Sequence, residues 1–337
     1  MKNRQFENKF MKEQNHYFCK ELIPLIEIVN TKIGARLANV DELLEEYDDM
    51  IQSHYLVDFF TFDSKEYKKY DPKQVVFSLD HRDDTLDDYN FLLEKTIKSR
   101  YAIPVISIKH CRNFLLNSLA IQKLIIRLQN ITPKIAVRIQ SNLLEKFFMD
   151  INPLLRENDL LIYDINEESI HSKFFDRKLL KIRTGKYKTI VLSSPRPQDI
   201  NNGSYIDGDY TGLIDNSIRN DYRELGFDGF ADYAGLKNTL PTGGGNGQGA
   251  ALGLFYVNEQ NQFFSIMNSD TKQGTRGHEY VVKKAFCNYK TLLDPKSECP
   301  AFEYMYVKLH SRGNPGSWGL WKYITILRYI SQIKNSL

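Results

Sequence analysis

Six short apolar runs alternate with helix-patterned segments over the first 194 residues, and this alternation limits the fold more than any other feature. The runs are residues 22–29, 55–62, 101–108, 134–139, 160–165 and 189–194. Each run is apolar on both faces, as in the strands of a parallel sheet that helices cover on both sides. Between them apolar residues recur at helical spacing, most clearly in VDELLEEYDDMI at residues 40–51. The pattern predicts an α/β fold.

Two architectures share this rhythm, the doubly wound sheet and the closed barrel. No GxGxxG follows the first run, and six or more units in series favour a barrel. GFADYAGL at residues 229–236 predicts a seventh strand and AALGLFYV at residues 250–257 an eighth. NEQNQ and FFSIMNS then follow, which predicts a β-hairpin. We therefore expect an irregular (β/α)8 TIM-like barrel with a β-hairpin and an elaborated C-terminal third.

The length of 337 residues would allow one large barrel or two ordinary domains. No internal repeat and no long linker marks a boundary, so we predict a single domain over residues 1–337, with residues 195–337 as its irregular part. Two more helices are expected there. One covers residues 279–289, and the closing one carries apolar residues at every third position, namely Trp318, Trp321, Ile324, Leu327 and Ile330.

Composition narrows the class of protein. Apolar residues make up 42% and charged residues 26% of the chain, as in ordinary globular proteins. The net charge is only +3 and both signs are interspersed, so nucleic acid is not strongly indicated as a partner. No window is long and apolar enough for a membrane span or a signal peptide. The four cysteines form no CxxC pair, which favours free thiols and a cytoplasmic location.

Single charged residues interrupt several apolar runs near their carboxyl ends. They are Glu27, Asp58, Arg138, Asp164 and Asp232. Because the carboxyl ends of barrel strands meet at one face, we expect these side chains to come together there, with Asp63 as an alternative to Asp58. Isolated buried charges are costly, so such a cluster requires mutual pairing, solvent or a ligand.

The functional interpretation gives acid/base chemistry, or a divalent metal of unknown identity, to Glu27, Asp164 and Asp232. Arg138 would then bind an anionic group of the substrate. The competing interpretation is an ion-pair network that only holds the rim of the barrel together. The sequence leaves both open.

Further candidates lie in the C-terminal third. Tyr233 follows Asp232 between two glycines, where a ligand could approach the backbone closely, although a bulge would explain the glycines equally well. Arg276 and His278 directly precede a helix, where unpaired backbone N–H groups favour anions, so we count both as substrate-binding candidates. The alternative for His278, as for His310, is a solvated or capping histidine. TGGGNGQG at residues 242–249 lacks the lysine and hydroxyl of a phosphate-binding loop.

Several short motifs together resemble a known family. They are the charged segment at residues 5–9 followed by ELIPLIEI, the strand with Arg138, FADYAG, TRGHEY and RGNPGSWGLWKYITILRYI. They are similar to the beta-protein family, which is named for a phage protein. The positions that match its recurring motifs are Glu27, Asp232, Tyr233, Arg276 and Trp318.

This resemblance implies a barrel-like α/β protein of phages and bacterial genomic islands, sometimes encoded beside a nuclease-like partner, with no settled activity. The chain departs from the family near its end, where LRYI replaces the usual histidine pair. If that pair is catalytic, the departure puts activity of this chain in doubt.

Two functional hypotheses follow. The first is a hydrolase acting at the C-terminal rim on a phosphate-containing or nucleotide substrate, with metal-assisted or acid/base chemistry. The second is a non-catalytic binding or regulatory module of antiviral defence that recognises a phage protein or partners a nuclease. An exposed stripe of Trp318 and Trp321 would favour the second, because a contiguous apolar patch usually marks a partner site.

Overall fold

The computed structural model describes residues 1–29, 32–33, 36–59, 86–109, 115–182, 184–239, 249–312 and 316–336, without the side chains of residues 32–33, 36–37 and 309–312. Four features of the sequence lie outside this description: Asp63, Cys111 of the four cysteines, the glycine-rich segment at residues 242–248 and the side chain of His310. None of the described helices has the length and apolar content needed to cross a bilayer.

Seven parallel strands form the central sheet, and they are ordered in it as they occur along the chain. They are β1 (Leu25–Ile28), β4 (Tyr55–Phe59), β5 (Ala102–Ile108), β6 (Ala136–Gln140), β7 (Leu160–Asn166), β8 (Lys188–Ser193) and β10 (Gly229–Ala231). A short antiparallel pair, β2 (Lys32–Ile33) and β3 (Arg36–Leu37), follows β1. Sequential parallel neighbours are the topology of a barrel-like α/β fold. The six strands predicted from the apolar runs and the seventh strand are confirmed.

Helices precede β1 and separate most of the strands that follow it. They are α1 (Gln5–Glu13), α2 (Val40–Ile51), α3 (Leu86–Lys98), α4 (Ser118–Gln129), α5 (Ser141–Ile151), α6 (Phe174–Leu180) and α7 (Ser217–Asp221). The predicted α2 begins at a capping box, in which the Asn39 side chain accepts a hydrogen bond from the Glu42 backbone N–H at 2.9 Å. Its apolar face, including Leu43 and Tyr47, is buried.

Strand geometry places the predicted charged residues on one face of the sheet. Successive side chains point to opposite faces, so Glu27 faces away from its neighbours Ile26 and Ile28. Glu27 is the register partner of Asp58 on β4. In the same way Gln140 of β6 pairs with Asp164 of β7, and Arg138 lies two residues before Gln140 on the same face. The parallel register therefore brings these charges together.

The N-terminal segment occupies the outer edge of β1. Lys2 forms a parallel bridge with Glu27, in which the Glu27 N–H donates to the Met1 carbonyl at 2.8 Å. Arg4 donates from Nη1 to the carbonyl of Thr239, beyond β10, at 3.0 Å. The segment thus links the first strand of the sheet to the chain that follows the last.

A second sheet follows in the C-terminal third. It is antiparallel, with the order β11 (Ala251–Val257), β12 (Gln262–Asn268) and β9 (Asp209–Thr211). The predicted hairpin is confirmed, but the expectation that residues 250–257 form the eighth barrel strand is wrong. The tight turn after Val257 supplies an adjacent antiparallel partner, so this strand pairs locally and not with β10. The fold is therefore barrel-like without being a complete eight-stranded barrel.

The last helices cover the second sheet. They are α8 (His278–Cys287), α9 (Lys290–Leu293), α10 (Pro300–Arg312) and α11 (Trp318–Lys334). Helix α11 packs against both β11 and α1. The approach to α1 is very close, because a Cβ atom at Gly319 would lie 1.9 Å from the Phe6 ring. The predicted helices at residues 279–289 and 318–330 are confirmed. Helix α11 lies between the second sheet and the N-terminal helix α1 and contacts both.

Candidate functional site

Arg138 is the centre of a buried group of charged side chains. It is 2% exposed, and Glu27 and Asp58 are fully buried. Its Nη1 donates to Glu27 Oε1 and to Asp58 Oδ2, both at 2.7 Å. Its Nε and Nη2 donate to Asp164 Oδ2 at 2.9 and 2.7 Å. One guanidinium therefore binds carboxylates from three strands. The sequence predicted that these four side chains come together.

Two segments at opposite edges of the sheet complete this group. Lys2 forms an ion pair with Glu27 and also donates to Asn238 Oδ1 at 2.7 Å. Tyr233, just beyond β10, donates its hydroxyl to Glu27 Oε1 at 3.0 Å. The contact between Tyr233 and Glu27 joins the chain after the last strand to the first strand, which shows how strongly the sheet curls.

We call this group the charge cluster. It consists of Lys2, Glu27, Asp58, Lys109, Arg138, Asp164 and Tyr233. Lys109 approaches Asp58 Oδ2 at 3.2 Å, so three cations face three carboxylates. No set of three or more His, Cys, Asp or Glu side chains among the described residues is arranged to hold a metal ion. The three carboxylates instead accept hydrogen bonds from Arg138.

The electrostatics agree with a closed network. Burial by itself would raise the pKa of Glu27, but the adjacent Lys2 ammonium and Arg138 guanidinium hold it well below its ordinary value. Burial lowers the pKa of Lys2 to about 8 against the opposing attraction of Glu27. Burial, and next the charge of Glu27, raise the pKa of the Tyr233 hydroxyl well above its ordinary value. Glu27 is therefore a permanent anion at neutral pH, already neutralised by its neighbours.

Asp232 holds a turn outside the charge cluster. Its Oδ1 accepts from the Ala234 N–H at 2.7 Å, and Oδ2 accepts from the Tyr329 hydroxyl. Ala234 and Gly235 follow with φ of 52° and 76°, the left-handed region that favours glycine. A Cβ atom at Gly235 would also lie 2.5 Å from the Phe263 ring. Burial raises the pKa of Asp232. Gly235, the glycine of FADYAG, therefore lies in a turn that packs against the second sheet.

The remaining residues that the sequence suggested for the site do not lie in the charge cluster. Arg276 is exposed, whereas His278 is fully buried at the start of α8. Trp321 is 3% exposed and Trp318 is half-buried, so the two rings form no exposed apolar stripe. The His278 ring stacks on Trp321 and meets Trp318 edge-on, each at 4.9 Å between centroids. His278 and the two tryptophans belong to the wall of a cavity.

This cavity has a volume of about 230 Å³ and lies beside the charge cluster. Its lining consists of Arg4, Arg196, Asn202, Leu236, Lys237, Thr239, Leu252, Leu254, His278, Trp318, Trp321, Lys322 and Thr325. Of these described residues four are Arg or Lys and none is Asp or Glu, and we call it the basic cavity. Arg196 follows β8, and residues 236–239 follow β10. The basic cavity therefore opens at the carboxyl ends of the last two parallel strands.

Two of its cations lack a carboxylate partner among the described residues. Arg196 donates to the Gly235 carbonyl at 3.2 Å and to Asn202 Oδ1 at 3.1 Å, and its buried Nε has no hydrogen-bond partner there. Lys322 forms no hydrogen bond or ion pair with that part of the chain. By contrast Arg4 is paired with Glu7, and Lys237 donates to backbone carbonyls of Gln198 and Ile200.

The pKa directions reflect these uncompensated charges. Burial lowers the pKa of Arg196. Burial, together with the neighbouring charges of Arg4 and Arg196, lowers the pKa of Lys322 to about 8, against the weaker opposing effect of Glu7. Excess positive charge in a partly dehydrated cavity is relieved by an anion. The basic cavity therefore carries positive charge that an anionic ligand would balance. In the charge cluster the cations are already balanced by carboxylates.

His278 contributes a hydrogen-bond acceptor to this wall. Its Nδ1 lies 3.2 Å from the carbonyl oxygen of Thr275, which can only accept, so Nδ1 carries the proton. Burial lowers the pKa of His278 to about 4, so the ring is neutral at pH 7. Nε2 then has a lone pair, and it is buried without a partner among the described residues.

Reasoning from the sequence found only part of this site. It found His278 but missed Arg196 and Lys322. A signal existed for Arg196, because PRPQ follows directly after the sixth apolar run, where a barrel exposes ligand-binding groups. For Lys322 the signal was one cation within the apolar period of α11. Comparisons with protein-family models, with curated proteins and with solved structures found no match to this chain.

Proposed function

We propose that the chain binds a small phosphate-bearing molecule in the basic cavity, as ligand or substrate. The observation that carries this proposal is the lining itself, in which Arg196 and Lys322 have no carboxylate partner among the described residues. Both residues are half-buried, and a partly desolvated cation without a counter-charge is unfavourable, so a bound anion would compensate them. The volume of about 230 Å³ lies below the roughly 300–1,000 Å³ of sites for drug-sized ligands. The ligand is therefore small.

The position of the cavity supports the same class of ligand. Barrel enzymes collect their sites at the carboxyl ends of the strands and frequently hold phosphate beside the last two strands, where this cavity opens. We further propose that the seven strands, with residues 1–3 along the edge of β1, follow the plan of a (β/α)8 barrel. This part of the argument is an analogy between folds, and the chemistry of the lining carries the assignment.

If the site is catalytic, hydrolysis of the bound phosphate ester is the reaction that we propose. Arg196 and Lys322 would stabilise the negative charge that grows on the phosphoryl oxygens. The lone pair of His278 Nε2 could accept a hydrogen bond from the attacking water and so orient it. Glu27 and Asp164, which the sequence suggested for acid/base work, are bound to Arg138, and Asp232 holds a turn. Among the described residues the basic cavity is the better place to look for such chemistry.

The alternative function is a module that recognises a phage protein or partners a nuclease. An exposed tryptophan stripe would have favoured it. Trp321 is buried and Trp318 lines the basic cavity, so this argument does not hold. Membership of the beta-protein family, with its phage or antiviral context and its nuclease-like partner, stays a prediction.

The first test is calorimetric titration and thermal unfolding with orthophosphate and ribose 5-phosphate. A ligand that prefers the native state raises the midpoint of unfolding. We expect binding by the wild type and binding at least about tenfold weaker in Lys322→Met, since a charge-assisted hydrogen bond contributes roughly 1.5–3 kcal/mol. Methionine keeps most of the length of the lysine side chain without its charge.

Two controls separate the site from general attraction of anions. Lys283→Met removes one exposed charge of α8 and has the same effect on net charge as Lys322→Met. Arg276→Ala removes the exposed arginine that the sequence had suggested. Both should bind phosphate as the wild type does. No binding by the wild type, or equal weakening in Lys283→Met, would refute the proposal.

A further inference from the structure

The basic cavity contains one feature that phosphate alone does not explain. Its cations donate hydrogen bonds, but the Nε2 atom of the neutral, fully buried His278 can only accept one. This atom has no partner among the described residues. An unsatisfied buried acceptor is unfavourable, so the complementary ligand group is a donor.

The position of the acceptor is fixed by its surroundings. The ring is held against Trp321 with an angle of 10° between the planes, and Trp318 meets it at 74°. The hydrogen bond to Thr275 fixes the other nitrogen at the start of α8. Because the ring cannot rotate without losing these contacts, Nε2 presents its lone pair in one direction.

Resting on the proposed function, we infer that the ligand is an organic phosphate whose body presents a hydroxyl or ring N–H donor to His278 Nε2. Orthophosphate would satisfy the cations, whereas an organic phosphate with such a donor would satisfy both kinds of group. The apolar side chains of Leu252 and Leu254 on the same wall provide a surface for the carbon skeleton of that body. His278 is then a residue that determines specificity within the cavity.

Two substitutions of His278 separate the acceptor from the ring. In His278→Gln the side-chain amide can place an oxygen near the position of Nε2 and keep an acceptor. In His278→Phe the flat ring and its packing against Trp321 are kept and the acceptor is removed. Affinity for orthophosphate, measured in the same variants, reports whether the cavity is still folded.

The measurement is the ratio of affinities for an organic phosphate and for orthophosphate, obtained by calorimetry with ribose 5-phosphate and inosine 5′-monophosphate, whose base carries a ring N–H. We expect this ratio to fall by about 3- to 10-fold in His278→Phe, which corresponds to one neutral hydrogen bond, and to be retained in His278→Gln. A larger fall for ribose 5-phosphate identifies a sugar hydroxyl as the donor, and a larger fall for the nucleotide identifies a ring N–H.

The outcomes distinguish the two proposals. If the wild type binds neither orthophosphate nor an organic phosphate, the proposed function fails. If orthophosphate binds in all variants and the ratio for both organic phosphates is the same in His278→Phe as in the wild type, phosphate binding stands and the inference about His278 is refuted.

Discussion

The charge cluster and the basic cavity are neighbours, and residues 2–4 and 233–239 supply side chains to both, but their charges are balanced differently. In the cluster, three cations lie within ion-pair distance of three carboxylates. In the cavity, Arg196 and Lys322 have no carboxylate partner among the described residues. One region is electrostatically complete, and the other lacks an anion.

The difference in charge balance shows how a buried charge should be interpreted. A charged residue within an apolar strand attracts attention as a catalytic candidate, but a buried charge with all its partners is evidence of architecture. Perturbed and unpaired groups that line an opening are better indicators of a ligand. We therefore expect changes in the cluster to alter stability and changes in the cavity to alter binding.

The largest effect should come from Arg138→Met, which would leave Glu27, Asp58 and Asp164 without their shared cation. Removing one member of a buried ion-pair network typically costs about 3–5 kcal/mol. We expect a loss of this size in the free energy of unfolding by urea. The matched control is Arg127→Met, because the Arg127 side chain is 54% exposed and pairs with Glu94. That change should cost less than about 1 kcal/mol. Equal losses of stability in Arg138→Met and Arg127→Met would contradict the structural role of the charge cluster.

Glu27→Gln and Asp232→Asn should differ, although the sequence placed both residues in one site. Glu27→Gln leaves Lys2 and Arg138 with less compensation and should cost about 3 kcal/mol. In Asp232→Asn the amide oxygen can still accept from Ala234, and the Tyr329 hydroxyl can accept from the amide nitrogen, so we expect less than about 1 kcal/mol. Urea denaturation of both variants checks the order, and a larger loss in Asp232→Asn would reverse the assignment.

Lys322 should produce the most specific effect, a dependence of stability on pH. Its pKa falls from the ordinary 10.5 to about 8 in the folded chain, because of burial and the nearby charges of Arg4 and Arg196, which Glu7 only partly opposes. Between these values the unfolded chain binds more protons, so the contribution of Lys322 to stability rises with pH. The wild type should therefore gain stability relative to Lys322→Met from about pH 8 to about pH 10.

Phosphate affinity should change in the opposite direction over the same range. Phosphate is already a dianion there, so loss of the Lys322 proton as pH passes about 8 weakens binding by the wild type. In Lys322→Met, calorimetry should find a smaller change with pH. Equal pH dependence in both proteins would show that Lys322 does not hold the anion.

Local chemistry determined much of the fold. The apolar runs specified six of the seven strands, because a strand buried on both faces needs continuous apolar sequence. The capping box placed the start of α2, and the NEQNQ turn specified the hairpin. The period of two along the strands and the parallel register also made the meeting of Glu27, Arg138 and Asp164 predictable.

Other features depended on contacts that no local pattern encodes. Residues 251–257 have the apolar character of an eighth strand, but pairing with the adjacent β12 took them into a second sheet. The same packing brought α11 against β11 and enclosed Lys322, Arg196 and His278 in one cavity, although they are separated by up to 126 residues in the chain. The sequence determined which residues are charged and which segments form strands. Only the tertiary structure decided which charges are paired, because pairing depends on distances between segments that are remote along the chain.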